Sequence, residues 1–290
     1  MISIELFANA IVAGLLLGGF YTAVALGICI AFGLLDIVNI AHPTFVIMGS
    51  YAAYASNSAW GLDPILAGVL GMPLFFLIGM GVYRIYYHRF EKKGAPALRG
   101  LVFFFGLLFI LEVALVLQYG VDYRLVEAPY IGTSITIGVI GLAPRLLVPC
   151  LAGIFLTLGL YLFLAKTFYG RAIMGVSQDS LALQLMGANP TQIKTMAFGL
   201  GVATASVAGA LLIIIGPVEP FIGREYIGRV FAIIVLGGLG SIGGTLAAAL
   251  ILGVAESLTS TFYGPSWSLA VSFGLLLLVL AFRPAGLFGR

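Results

Sequence analysis

The chain has 290 residues, of which 61% are hydrophobic and 9% charged, with a formal net charge of +3. No soluble domain can hide that much apolar surface, and the apolar runs are continuous rather than alternating, which argues against a β-barrel as well. So small a positive charge is no footprint of a nucleic-acid partner, and the basic residues read instead as topology signals beside lipid.

Residues 6–30 are long enough for one span, which needs about 20 residues. They carry Gly14, Gly18, Gly19 and Gly27, small residues that let membrane helices approach closely. No basic stretch precedes the run, so it reads as a retained span rather than a cleaved leader. Cys29 and Cys150 stand alone in apolar runs and read as packing residues. Within residues 31–54, Asp36, Asn39 and His42 fall at i, i+3 and i+6 and are expected to share part of a helical face. Pro43 removes a backbone donor and restricts His42. Polar groups at membrane depth usually face a pore or a partner, whereas at the interface they cost little. Both placements fit these residues.

Residues 62–83 read as a span with a kink at Pro73. Arg84, His88, Arg89, Glu91, Lys92, Lys93 and Arg99 then mark a cytoplasmic loop. His88 has no spaced His, Cys or carboxylate set around it, so no metal site is expected. Residues 100–119 return outward with a lone Glu112, which suits a partner inside the bundle or on a neighbouring helix. The loop 120–145 suits the outside, and its 135–142 stretch, flanked by Gly132 and Thr133, reads as a short hairpin or interfacial turn. Residues 146–164 go back inward.

In the cytoplasmic stretch 165–195, residues 177–186 read as a short amphipathic helix. Ser177 stands at its start, Asp179 near its positive end, Leu181, Leu185 and Met186 on its apolar face, and Gly187 at its stop. Such a helix lies on lipid or fills a partner's groove. Residues 196–215 go outward. Residues 216–220 are expected to be an outside turn, followed by Arg224, Glu225 and Arg229.

The apolar run 230–256 is broken by Gly237, Gly238, Gly240, Ser241, Gly243 and Gly244. Each glycine costs about 1 kcal/mol in a helix relative to Ala. In lipid such a break is tolerated where the backbone is buried in protein or lines a wet cavity. It reads as a discontinuous segment near a translocation path or as a short loop between spans. Residues 266–282 return inward and end near Arg283, Pro284 and Arg290. The expected fold is an all-α polytopic membrane protein, one permease domain over 1–290 with about eight transmembrane helices. Broken or re-entrant segments at 36–43 and 237–244 occupy matching places in repeat-like halves of about 1–119 and 146–290, a pattern that points to transporter sites.

Four stretches, in order over nearly the whole chain, resemble the membrane subunits of ABC importers for branched-chain amino acids, the LivH/LivM type. Residues 27–42, GICIAFGLLDIVNIAH, resemble the family's Gly-rich span followed by FG and N-x-A-H. Gly170-Arg171-Ala172, then Asp179, then Leu185-Met186-Gly187-Ala188-Asn189 resemble its G-R-A … D … G-I-N pattern. Gly216-Pro217 and Pro220-Phe221-Ile222-Gly223 follow. Residues 235–256, VLGGLGSIGGTLAAALILGVAE, are the most specific match. Pro43 stands where the family usually has Gly, and Ile173, Met174 and Gly175 stand where a second Arg is expected.

The resemblance implies one of two related permease subunits in a bacterial or archaeal inner membrane. Two cytosolic ATPases would drive the pair and a periplasmic or other extracytoplasmic binding protein would deliver the solute. The chain has no G-x-x-x-x-G-K-[ST], so ATP would be used by the partners and this chain would hold no cofactor and be no enzyme. The resemblance and the broken segments together make Asp36, Asn39, His42, Gly237, Gly238, Gly240, Ser241, Gly243 and Gly244 pathway candidates. The amides after Gly244 are offered to a substrate carboxylate. Gly170, Arg171, Asp179, Leu185, Gly187 and Asn189 are the candidates for ATPase coupling. Relatives in the family also carry urea and amides. The rival reading is a self-sufficient, ion-coupled secondary transporter, for which Asp36 and Glu112 are the few acidic ligands at hand. An intramembrane enzyme finds no Ser/His/Asp or metal spacing.

Overall fold

Long apolar runs become helices in a membrane because only a helix satisfies its backbone from within. The computed structural model describes residues 4–94, 97–132, 134–138, 140–283 and 285–288, so Thr133, Pro284 and Arg290 lie outside the described residues. The helices are α1 (Ile4–Ala31), α2 (His42–Trp60), α3 (Pro64–Arg89), α4 (Ala97–Tyr119), α5 (Pro144–Lys166), α6 (Phe168–Gln178), α7 (Ser180–Leu185), α8 (Pro190–Ile215), α9 (Gly223–Gly237), α10 (Ile242–Tyr263) and α11 (Ser268–Phe282). Between α4 and α5 the expected hairpin forms from β1 (Ile135–Ile137) and β2 (Ile140–Leu142), antiparallel with Ile135 opposite Leu142. The protein is an all-α polytopic membrane protein. Among the described residues, seven helices are long and apolar enough to cross a membrane. The last of these counts from Pro265, before α11; of the other four helices, α2 is diluted by His42, Ser50, Ser56, Asn57 and Ser58, α9 has 15 residues, and α6 and α7 are shorter still.

The core lies along α1 and α8, which touch each other. In α8, 89% of the membrane-length window is buried, against 11% in the segment ending in α11. The packing is reciprocal, with α1 lying along α10 and α8 along α3. Glycine makes these approaches close. A Cβ on Gly14 would stand 2.6 Å from the Val254 Cα, and one on Gly18 would stand 2.7 Å from the Ala249 carbonyl. Gly19 is covered by Cys150 and Gly27 by His42. Both cysteines are buried and free, and Thr245 donates to the Cys29 sulfur at 3.3 Å.

Sidedness follows from two contacts. Lys194 pairs with Glu91 at 2.9 Å, joining the start of α8 to the basic loop after α3. The Gly141 amide donates to Asn9 Oδ1 at 2.8 Å, putting the hairpin and the start of α1 at the opposite end. With the basic loop inside, α1 begins outside.

The outer end is tied down by side chains. Asp63 accepts from the amides of Ile65 and Leu66 at 2.9 and 3.4 Å, capping α3, and from the Tyr130 hydroxyl at 2.9 Å. Burial, then the bond to Asp63, pushes the Tyr130 phenol above its usual value. Asp63→Ala removes a helix cap together with one of the anchors of the 120–132 loop, which Asn57 also holds through the Glu127 backbone. The expected loss is about 1–2 kcal/mol, seen as a lower melting temperature with faster protease cleavage in that loop. Cleavage at the wild-type rate would show that the loop is held by something else.

Candidate translocation site

The first broken segment is irregular, not helical. After α1 the chain turns through Asp36, which has a φ of 56°, and runs irregularly to Ala41. The expected shared helical face of Asp36, Asn39 and His42 is therefore corrected. Asp36 is exposed just past the inner end of α1, while Asn39 and His42 are each 1% exposed. Asn39 closes the turn into α2, its side chain accepting from the Ala41 amide at 3.2 Å and its carbonyl from the His42 amide at 3.3 Å. An Asx turn takes the place of the helix here, a short polar side chain replacing the helix's own bonds.

The start of α2 lies at membrane depth. The His42 ring packs on Gly27 and its Nε2 lies 3.2 Å from the Val24 carbonyl. Gly27 in turn meets Gly201, eleven residues or about 16 Å into α8. His42 Nδ1 and the Thr44 and Tyr51 hydroxyls are buried with no hydrogen-bond partner among the described residues. Polar atoms left open in this way line one stretch of α2.

The second irregular segment enters from the outer side. Arg124 and Val218 exchange backbone bonds at 2.9 and 2.8 Å, and α9 then starts beside α2, where a Cβ on Gly223 would stand 3.4 Å from the Pro43 carbonyl. Neither α2 nor α9 has a side-chain N-cap. Arg224, Glu225 and Arg229 follow the irregular stretch 216–222, as expected, and lie in α9, where each Arg finds an acid on another helix.

Glu112, wholly buried on α4, accepts from Arg224 Nε at 2.9 and 3.2 Å and from Nη2 at 2.5 Å. Glu256, buried on α10, accepts from Arg229 Nε at 3.1 Å, from the Tyr21 hydroxyl at 2.6 Å and from the Ser272 hydroxyl. A cavity of about 280 Å³ opens on this second cluster, with Tyr21, Arg229, Glu256 and Ser257 on its wall. Buried charge in a membrane protein is tolerated when it is paired. The lone Glu112 signalled such a need, while Arg224 and Arg229 gave no local sign of meeting it. Among the described residues, no group of three or more His, Cys, Asp or Glu is disposed to hold a metal ion.

The glycine break sits at the inner end, as the turn from α9 to α10. Gly240 has a φ of 77°, which favours glycine, and its Cβ would stand 2.7 Å from the Gly33 carbonyl. Gly237 and Gly244 lie backbone to backbone, and Gly243 has open space where a Cβ would be. Gly238 lies against Gly286, and the Leu287 amide donates to the Leu236 carbonyl at 2.8 Å. Ser241 caps α10, its hydroxyl accepting from the Gly244 amide at 3.0 Å and its carbonyl from the Thr245 amide at 2.8 Å, so the first amide after Gly244 is already bonded within the helix.

On the cytosolic side the expected single helix over 177–186 is two, α6 and α7. Asp179, not Ser177, caps the second, accepting from Leu181 and Ala182 at 2.8 and 2.9 Å, while Ser177 bonds back to the Met174 carbonyl. Gly170 lies where α6 folds onto the end of α5, its amide bonded to the Thr167 hydroxyl at 3.0 Å, and Arg171 beside it is exposed. Gly187 has a φ of 85° and ends α7, and Asn189 caps α8 by accepting from Thr191 and Gln192. Leu185 and Met186 are each 82% exposed. Beside them runs a groove of about 540 Å³ lined by Tyr87, Gln184 and Asn189.

A chain so built, helical and apolar with its charges paired at depth, matches one family model. Residues 10–280 fit the permease component of the branched-chain amino acid transport system. The chain belongs to that permease family. The permease is 30% identical to the high-affinity branched-chain amino acid transport permease BraD of Pseudomonas aeruginosa, over 98% of this chain and 96% of the relative. It is 29% identical to LivH of Escherichia coli over the same shares. It is 36% identical to LivM of Salmonella typhimurium over 41% of this chain and 28% of that relative. No solved structure matches it. Its relatives are transport permeases rather than enzymes, and it is a multi-pass inner-membrane protein.

Proposed function

We propose that this permease is a membrane subunit of an ATP-driven ABC importer that carries branched-chain amino acids into the cytoplasm by alternating access. The observation that carries the reading is the family match over residues 10–280, together with near full-length likeness to permeases named for that transport. Its partners would be a second, homologous permease, two cytosolic ATPases, an extracytoplasmic binding protein and membrane lipid, with ATP bound by the ATPases alone. Likeness to both LivH and LivM supports a pair of related permeases. The repeat-like halves belong to the same reading, and the reciprocal packing of α1 on α10 and α8 on α3 supports them.

Solute would pass beside the irregular segments that lead into α2 and α9, with Asn39 and His42 shaping the inner wall. The Gly237–Gly244 turn would move with the inner gate. In that scheme ATP binding closes the ATPases, and α6 and α7 pass a rigid-body shift to the bundle. Asp179 would set the angle of α7 and Leu185 would enter a groove on the ATPase, with Gly170, Arg171, Gly187 and Asn189 shaping the frame around them.

Asp179→Lys with Leu185→Glu breaks the cap and puts charge on the apolar contact. In the purified complex, the expected outcome is at least a tenfold fall in uptake and loss of ATPase stimulation by loaded binding protein. Unchanged values of both would remove the coupling assignment. For the function itself, reconstituted vesicles should take up leucine only with ATP and all subunits. Ion-driven uptake by this chain alone would replace the importer with a secondary transporter.

A further inference from the structure

We propose that Arg224, which reaches across to α4, and Glu225, the next and more exposed residue of α9, receive the carboxylate and the ammonium of the passing amino acid, with the rings of Phe109 and Phe221 beside its aliphatic side chain. The inference rests on the reading above that the solute is a branched-chain amino acid.

Depth is the first point. Tyr51 and Tyr119 lie ring to ring at 4.7 Å near the outer end of α4. Glu112 is seven residues, about 10 Å, further into the membrane. Arg224 is held at that level by its bonds to Glu112 and by the rings of Phe109 and Phe221, with centroids at 5.1 and 5.2 Å. An unclamped Arg would extend to the headgroups, but this one is fixed on both sides.

Exposure is the second point. The Arg224 side chain is 48% exposed and that of Glu225 63%. Charges open at this depth do not face hydrocarbon; they face a wet passage or a partner. Glu112 engages Nε and Nη2 and leaves the Nη1 edge with no further bond among the described residues. That edge is the planar fork that carboxylates take up.

Charge balance is the third. Glu112 already neutralises Arg224, so an arriving carboxylate must bring its own counter-charge. A zwitterion does so, and its ammonium has Glu225 on the next residue. Glu225 is only loosely engaged, 3.7 Å from Arg229, whose closer bond is to Glu256 at 3.1 Å. Phe109 and Phe221 are 39% and 37% exposed, an apolar surface next to the charges. Cation, anion and aromatic rings together fit a zwitterion with an aliphatic side chain better than a neutral solute such as urea.

The test uses the whole importer in proteoliposomes, with leucine as the probe. The double variant E112Q/R224Q keeps a neutral hydrogen-bonded pair, so neither partner is left buried and charged. It is expected to lose uptake at least tenfold while leucine-loaded binding protein still stimulates the ATPases. R224K should keep part of the uptake, and E225Q should raise the apparent KM for uptake several-fold. E225C should react with a membrane-impermeant thiol reagent, more slowly when leucine is being transported, the native cysteines being buried. Full uptake by E112Q/R224Q, or uptake and ATPase stimulation falling together, would overturn the inference, as would E225C that never reacts. A wild-type importer that takes up no branched-chain amino acid would overturn the proposed function instead.

Discussion

Glu256→Ala is expected to lower the stability of the permease by about 3–5 kcal/mol, the usual cost of leaving one member of a buried charged network without its partner. Glu256 accepts from Tyr21, Arg229 and Ser272, which come from α1, α9 and α11, so one carboxylate ties three helices to α10. Removing it leaves Arg229, whose side chain is 12% exposed, with only the looser Glu225 at 3.7 Å, and takes the acceptor from the buried Tyr21 hydroxyl. The effect should be read as a fall in melting temperature and in folded yield of the purified protein. Because buried ion pairs seldom outperform a well-packed apolar replacement, Glu256→Leu combined with Arg229→Met should recover most of the loss. A single variant that melts at the wild-type temperature would mean that Arg229 reaches water by another route.

The second large effect concerns Gly27. A Cβ at this position would overlap the His42 ring and the Gly201 carbonyl, which belong to two different helices. Since α1 and α8 form the core, neither can retreat without opening other contacts. Gly27→Ala should cost about 3 kcal/mol, the upper part of the range for overpacking, and should lower the folded yield. His42→Ala in the same chain should restore part of the yield by removing the ring. Equal yields from the single and double variants would show that the Gly201 carbonyl, not His42, is the obstacle.

Much of the fold was legible because its signals are local. Apolar runs near span length mark α1, α3, α4, α5, α8, α10 and α11, and the charges after α3 set their direction. The hairpin at 135–142 was visible from its turn residues, and Gly187 from its place after an apolar stretch. The irregular stretch before α2 was misread because Asp36, Asn39 and His42 match helical spacing, while Asn39 spends its side chain on the turn. The α6 and α7 break was misread because Ser177 and Asp179 are both good caps, and only the bonds made by Asp179 show which one acts.

What the sequence determined by itself is the class of molecule, through its hydrophobicity and the length of its apolar runs, and its likeness to a permease family, through motifs in order. Where its few charges go depends on how the helices pack. Glu112 and Arg224 are 112 residues apart, and Tyr21 and Glu256 are 235 apart. Nothing in the spacing of either pair marks them as partners. Helical periodicity reports which face of a segment is apolar, but in lipid nearly every face is. The choice of neighbour passes to close glycine contacts and to the need of each buried charge for an opposite one, and both exist only once the helices have packed.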